Sequence, residues 1–463
     1  MNAPRTISVV VLLAAAANAR LAAQGTPDEA PPPTSVDSLS TAVEAAGTAL
    51  DTTQVELSDR ERRSRRNMAV WILESRLTAQ ARGYSTASEH VDGSDHGATA
   101  AGGWIRFRSG RWRENYAFRA GLYTSMRLVG DTAKGGTGIL APDQGNLITV
   151  AVLNGEAYWH DQVLTVGRQG LNLPLVNSAD SRMIPQTFTA ATGRGPIALG
   201  WSWVGGYLWR AKPRDADRFV SMAQLAGAPA GTERGMLTAG VRRAEEGRFT
   251  AGLFDFLVPD VHNIVYAEAS FLPLPSGFFH FKAAGQFLDQ RTVGAGLLPG
   301  SPSRTSYVSG RLSVSRARVM LSLAASSVAD GGDVVTSYGT FPGYATSMVT
   351  SFTRAGESAL HAEASYDFSG LGAPGLTLFT GLTKGGEARV PATGQALPAI
   401  SEMEITADYR PTTGNLAGFW FRARGARTWQ AGAAPDGFEI RLIGYYDIPI
   451  PWPPRTSPTG GNR

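Results

Sequence analysis

The feature that most constrains this chain is an alternation repeated in one short segment after another, with one apolar, aromatic face and one charged face. "NYAFRAGLYTSMRL" sets Tyr116, Phe118, Leu122 and Met126 against Arg119, Tyr123 and Arg127. "ILESRLTAQARGY" sets Leu73, Leu77 and Ala79 against Glu74, Arg76, Gln80 and Arg82. "IVYAEASF", "FFHFKAAGQF", "SYVSGRLSVS", "SEMEITADYR", "GFWFRARGAR" and "GFEIRLIGYY" repeat the pattern. Successive side chains of a strand point to opposite faces, so a period of two gives each segment one wet and one apolar face.

A soluble sandwich alternates in the same way. Three features favour a barrel in a membrane. Arg and Glu run along the polar faces and are not confined to strand ends. Aromatics gather near strand ends, as with Trp201, Trp203, Tyr207 and Trp209. Dividing Val70 to Ile450 at its turn signals gives roughly eighteen segments of the ~10-residue length that an outer-membrane strand needs. Lipid requires every backbone group to be paired, and strands achieve this only in a closed barrel. The expected fold is therefore all-β: a transmembrane antiparallel β-barrel of about 18 strands with an inward-folded pore loop. The alternative is a secreted or surface β-sandwich that binds glycans or partner proteins.

The chain's start agrees with export. Arg5 and the apolar run "ISVVVLLAAAANA" form a signal peptide expected over residues 1–23, because the run is shorter than the ~20 residues of a spanning helix. Residues 24–68, with "PDEAPPPTSVDS" and "DRERRSRR", read as a flexible periplasmic segment. The barrel is expected over 69–450 and a Pro/Gly-rich tail over 451–463. With 43 Lys+Arg against 39 Asp+Glu, the positive excess is too slight to argue for nucleic acid. The absence of cysteine excludes a disulfide framework and thiol chemistry.

One stretch breaks the alternation. "VGRQGLNLPLVNSADSRMIPQT", from Val166 to Thr187, lies between a strand ending near Arg168 and another expected from Ile197. Pro174 and Pro185 remove ladder donors, so the residues between are not expected to be strand. Asn177, Ser178, Asp180 and Ser181 are turn formers whose side chains bond nearby backbone. A connection this long is uncommon in a compact fold unless it has a job. In a wide barrel that job is to narrow the lumen, with Arg168, Asn177, Ser178, Asp180, Ser181, Arg182 and Gln186 as the pore-loop residues.

This stretch resembles the inward pore-loop motif of the OprD family of outer-membrane porins. "WILESRLTAQARGY", "GGWIRFRSG" and "DFLVPDVHNIVYAEASF" resemble that family's strands, so the similarity runs from about Trp71 to Tyr446. The resemblance implies an eighteen-stranded monomer whose third loop narrows the channel. It also implies a ladder of arginines that leads small, water-soluble carboxylates down one wall. The family's chain normally stops at its last strand, whereas here "DIPIPWPPRTSPTGGNR" follows, which makes any insertion signal at Tyr445 and Tyr446 internal.

The charged faces supply the candidate site. Arg76, Arg82, Arg106, Arg119 and Arg127, with Arg108, come from the first three strands, and Arg422, Arg424 and Arg441 from the last two. Closure makes the first and last strands neighbours, so these residues merge into one basic wall. Guanidinium groups bind carboxylates in bidentate geometry, which suits such a wall to anionic solutes. The bland alternative is that Glu74, Glu156 and Glu439 neutralise it. Asp255 and Glu268, with Glu363 and Asp367 further round, are expected to form an opposing acidic side and a transverse field. The register is ambiguous over "FTAGLFDF", where a one-residue slip inverts the face.

No constellation for catalysis, metal or cofactor stands out, so no enzyme activity and no cofactor are expected. The expected partners are small carboxylate solutes, outer-membrane lipid and lipopolysaccharide, and the barrel-assembly machinery, with no nucleic acid.

Overall fold

A computed structural model describes residues 68–244, 248–272, 279–300, 303–432 and 436–452. The expected signal peptide, the periplasmic segment up to residue 67 and tail residues 453–463 lie outside the described residues. Met68–Leu73 form a short helix, α1. It is closed by Ser75, whose backbone N–H and hydroxyl both donate to the Ile72 carbonyl. Leu73 therefore lies in a helical turn, and the wall begins at Arg76 rather than at Val70.

The wall opens with β1 (Arg76–Glu89), β2 (Asp95–Arg108), β3 (Tyr116–Gly130), β4 (Leu147–Trp159) and β5 (Gln162–Gln169). It continues with β6 (Thr187–Pro196) and β7 (Trp201–Lys212). The two-residue β8 (Val220–Ser221) and a helical turn, α2 (Met222–Leu225), lie in a loop. Next come β9 (Met236–Ala244), β10 (Phe249–Val258), β11 (His262–Phe271), β12 (His280–Thr292) and β13 (Arg304–Arg316). The wall is completed by β14 (Val319–Val328), β15 (Ser358–Asp367), β16 (Leu376–Gly386), β17 (Ile400–Tyr409), β18 (Phe419–Gln430) and β19 (Gly437–Ile448).

Each strand pairs antiparallel with the next, β9 follows β7 around the wall, and β19 returns to β1. The closing register runs from Ala79 opposite Ile448 to Glu89 opposite Phe438. With β8 only an appendage of β7, the wall is a closed ring of eighteen strands. Closure leaves no sheet edge, as lipid demands, and it excludes the sandwich.

Period-two alternation sorts the two faces. On β14, Leu321 and Leu323 point out, at 50% and 66% exposure, while Met320, Ser322 and Ala324 are buried inside. One expected boundary moves. Thr187–Pro196 is a strand, because after Pro185 the residues Phe188, Ala190 and Thr192 alternate into the interior. Pro196 falls on the strand's last residue, where a missing donor costs little.

One end of the barrel has short hairpins. The His160–Asp161 turn has φ of 43° and 62°, the doubly positive geometry of a tight two-residue hairpin. The other end carries long connections, of which 170–186, 213–235 and 329–357 fold back into the lumen. The two larger apolar cores inside the barrel are built on them. In one, Leu173, Val176, Phe188, Met222, Phe254, Phe256, Ile264, Tyr338 and Phe341 pack together. In the other, Met183 and Ile184 of the first loop join Ile139 and Leu140 against Tyr84, Trp104, Tyr123 and Tyr445. The interior is therefore part packed core and part aqueous passage.

Candidate functional site: a cationic eyelet

Residues 170–186 cross the lumen, held by contacts their sequence provides. Ser178 closes the loop on itself: its N–H donates to the Leu171 carbonyl at 2.8 Å, and its hydroxyl accepts from Leu171 N–H. The Gln186 N–H donates to the Ser178 carbonyl at 2.9 Å, which closes the loop's base. Asn177 reaches the inward loop 329–357, donating to the Thr340 carbonyl at 2.9 Å and accepting from Thr340 N–H at 2.8 Å.

The wall grips the loop through Arg82. Its guanidinium meets both oxygens of Asp180, at 2.6 and 2.9 Å, and also donates to the Arg182 carbonyl at 2.9 Å. Arg106 lies 3.6 Å from Asp180, with its guanidinium 3.9 Å from the centre of the Trp104 ring. Burial pushes the Asp180 carboxyl upward, but Arg82 outweighs it and holds the group below the usual carboxylate range. Tyr445 adds a hydrogen bond to the Arg182 carbonyl at 3.1 Å.

Beside the loop is a cavity of about 1480 Å³, lined by nine cationic side chains against four carboxylates. Arg182, Arg214, Arg422, Arg424 and Arg441 are among the nine. Three of the wall arginines are matched, two by carboxylates of the neighbouring β17 and one within β19 itself. Arg422 pairs with Asp408, Arg424 with Glu404 at 2.9 Å, and Arg441 with Glu439 at 2.5 Å. Arg214, in the loop after β7, has no ion pair or hydrogen bond among the described residues. Burial first, then the charges of Arg182 and Arg441, bring its guanidinium down to about 10. Arg182 is lowered in the same direction by burial and by Arg441. An anion at this point would relieve both.

The expected basic wall divides. Arg82, Arg106, Arg422, Arg424 and Arg441 gather around the eyelet or its cavity. Arg119 pairs with Glu156 at 3.0 Å, and Arg108 lies 3.9 Å from the same carboxylate. Arg76 stands at the start of β1 opposite Arg108. Arg127 lies at the loop end of β3, exposed, with its backbone N–H on Asn146. Of the pore-loop residues, Asp180, Ser181, Arg182 and Asn177 line the cavity, and Gln186 is buried behind it. Arg168 does not join them. Its strand partner Leu153 faces outward, and its guanidinium lies 4.8 Å from the Phe219 ring while donating to the Val150 carbonyl.

The expected acidic side does not assemble. Asp255 points outward, because Phe254 and Phe256 take the inner face of β10. Gly240 lets Phe254 lie there: a Cβ at that glycine would stand 2.2 Å from the Phe254 ring. Asp367 caps the turn after β15 by accepting from Ser369 N–H at 2.8 Å. Glu363 is buried beside His361 at 3.3 Å. Only Glu268 of the four lines the cavity, near Arg242.

Composition and parity do not single out Arg194, Arg214 or Arg242, which line the cavity together with Lys282 and Arg311. Lys282 and Arg311 were legible on the charged faces of "FFHFKAAGQF" and "SYVSGRLSVS". Arg214 carried no such signal, because its position depends on how its loop folds.

A family model described as outer membrane porin, OprD family, matches residues 71–450. No curated protein sequence matches the chain. Among solved structures, OccK9 (OpdG) of Pseudomonas aeruginosa superposes with a TM-score of 0.73 at 20% identity, over 82% of this chain and 100% of that one. OpdK of the same organism, solved with vanillate, gives 0.72 at 20% identity over 82% and 99%. OccK2 (OpdF), also of that organism and solved with glucuronate, gives 0.70 at 20% identity over 82% and 99%.

Proposed function

Because this chain belongs to the OprD family of outer membrane porins, a non-enzymatic family, we propose that it is a passive channel for small, water-soluble, carboxylate-bearing solutes. Flux is diffusive and biased by binding, since a useful site must attract a solute and still release it. The observation that carries the reading is the cluster of Arg182, Arg214 and Arg441, in which Arg214 makes no ion pair or hydrogen bond among the described residues. A carboxylate there accepts charge-assisted hydrogen bonds from guanidinium groups whose mutual repulsion it relieves. Several like charges along a narrow passage also raise the local concentration of anions, an effect that salt screens over about 8–10 Å.

The wall arginines feed this cluster. Arg422 and Arg424 line the cavity on β18, and Arg441 faces it from β19. Arg82 acts differently, by holding the loop. The solved structures of OpdK with vanillate and OccK2 with glucuronate support the solute class, since both molecules carry a carboxylate. Each barrel encloses its own eyelet, so a monomer suffices for the passage.

The test is reconstitution in planar bilayers. Vanillate or glucuronate should reduce the ion current in the millimolar range, and a neutral sugar should not. Arg214→Gln should weaken that block by about tenfold, the size of one charge-assisted contact. Equal block by the acid and the neutral sugar would sink the reading.

A further inference from the structure

Lys212, the last residue of β7, is fully buried at 0% exposure and makes no ion pair among the described residues. An ammonium taken out of water without a carboxylate is costly unless its donors are satisfied in another way. Here they go to two main-chain carbonyls, that of Pro213 at 2.8 Å and that of Ala216 at 3.3 Å. Pro213 and Ala216 are the first and last residues of a four-residue turn. The turn's own closing bond, from Ala216 N–H to the Pro213 carbonyl, is long at 3.4 Å. An ammonium carries three donors, so one group can serve both carbonyls and bridge the ends of the turn. Asp215 and Asp217, next along the loop, attract it from farther off without pairing with it.

Arg214 stands at the tip of that turn and lines the cavity, while Lys212 does not. The guanidinium of Arg214 makes no ion pair or hydrogen bond among the described residues, so its place is set from its backbone. We infer that Lys212 is the positioning residue of the cationic eyelet: it never meets the solute, and it holds the turn that presents Arg214 to it. The inference rests on the carboxylate reading above and deepens it. The charges of Arg182 and Arg441 push against Arg214. A tip residue free to move would relax away from them, and the bridged turn opposes that. Lys212 also lies opposite Thr187, the first residue after the eyelet loop 170–186. The bridge therefore ties Arg214 to the same piece of wall from which Arg182 is hung.

The test is a double-mutant cycle on the block of ion current by vanillate in planar bilayers at fixed ionic strength. Lys212→Met keeps most of the stem's bulk and removes the donors. It should weaken the block by about tenfold, as Arg214→Gln does. If Lys212 acts through Arg214, the double variant Lys212→Met/Arg214→Gln should be blocked no more weakly than Arg214→Gln alone. A general loosening of the loop would instead add its loss to that of Arg214. A second variant covers the case in which Lys212→Met fails to migrate as a heat-modifiable barrel. A glycine inserted between Asp215 and Ala216, in the partly exposed turn, keeps both Lys212 and Arg214 but parts the two carbonyls, and it should weaken the block to the same extent. A folded Lys212→Met or insertion variant with wild-type block, or a double variant in which the two losses multiply, overturns the inference and leaves the carboxylate reading intact. Absence of vanillate block in the unmutated channel overturns the two together.

Discussion

The two sides of the lumen are built from the same alternating strands, yet they hold the inward loops by different physics. On the side of β17–β19 and β1–β3, charge does much of the holding. Arg82 clasps Asp180, while Arg422–Asp408 and Arg424–Glu404 stiffen the wall around it. On the side of β9–β13, the loops sit on Phe254, Phe256, Ile264 and Leu288, all essentially buried. There the polar ties are between uncharged groups, such as Tyr338 to His262 at 3.1 Å, Gln286 to the Pro342 carbonyl at 2.7 Å and Gln290 to the Asp333 carbonyl at 3.0 Å. Parity thus says which residues share a face. It does not say whether the inner face is wet. A covered inner face takes Phe where an uncovered one takes Arg.

The largest effect should come from breaking the charged clasp. Arg82 is 5% exposed and loses its bidentate partner in Asp180→Ala. Removing one member of a buried ion pair strands the other, at a cost on the order of 3–5 kcal/mol. That exceeds what one fully buried apolar side chain contributes, about 1.5–3 kcal/mol, so packing of Met183 or Ile184 alone does not hold the loop down. Single-channel conductance should rise at least twofold while the barrel still migrates as a heat-modifiable species. Wild-type conductance would mean that the apolar packing, not the clasp, positions the eyelet.

A smaller effect is expected where the two sides meet. Asn177 bridges the first loop to Thr340 of the loop 329–357 through both ends of its amide. Asn177→Ala leaves that backbone donor and acceptor without their partners, at a cost of roughly 1–3 kcal/mol. The eyelet stays clasped by Arg82, so mean conductance should change little. The loop 329–357 should loosen, giving more current flicker and faster proteolytic nicking within it. Conductance rising as far as in Asp180→Ala would mean the two loops move as one body.

These cases also mark how much was legible beforehand. Segments such as "NYAFRAGLYTSMRL" and "GFEIRLIGYY" declare their register, because each has one clearly charged face, and the closed barrel follows from their number. The break at Pro174 announces the eyelet loop, and Asp180 lies in it, clasped by Arg82. Sequence patterns lose their information where the loop's partners are distant along the chain. Thr187–Pro196 looks like loop because its small residues offer little contrast. Arg168 looks like a pore residue because it flanks the loop, although its parity follows Leu153 to the outside. Arg214 becomes a site residue only once the loop after β7 has folded in. Asp255 fails for the reason the register was ambiguous: "FTAGLFDF" is apolar on both faces, and the contacts that choose between them lie in residues far along the chain.

The smallest effect tests that last inversion. Asp255 stands on the outer face, with its carboxylate accepting from the Asn263 side chain at 2.7 Å, while Glu268, one strand over, lines the cavity. The pairing makes the two comparable: Asp255 lies opposite Val265 and Glu268 opposite Gly252, so the residues are close along the wall but on opposite sides of it. A charge outside the lumen is separated from the permeating ion by the wall and its lipid, whereas one on the cavity surface acts directly on the ion. Glu268→Gln should therefore shift the reversal potential in a salt gradient toward stronger anion preference, most visibly at low ionic strength where screening is weak. Asp255→Asn should leave the reversal potential where it is. Its expected change in stability is small, because carboxylates on the lipid face near the end of a strand cost little to keep and little to lose. A reversal potential that moves in Asp255→Asn as far as in Glu268→Gln would put Asp255 in the passage, and with it Phe254 and Phe256 in the lipid.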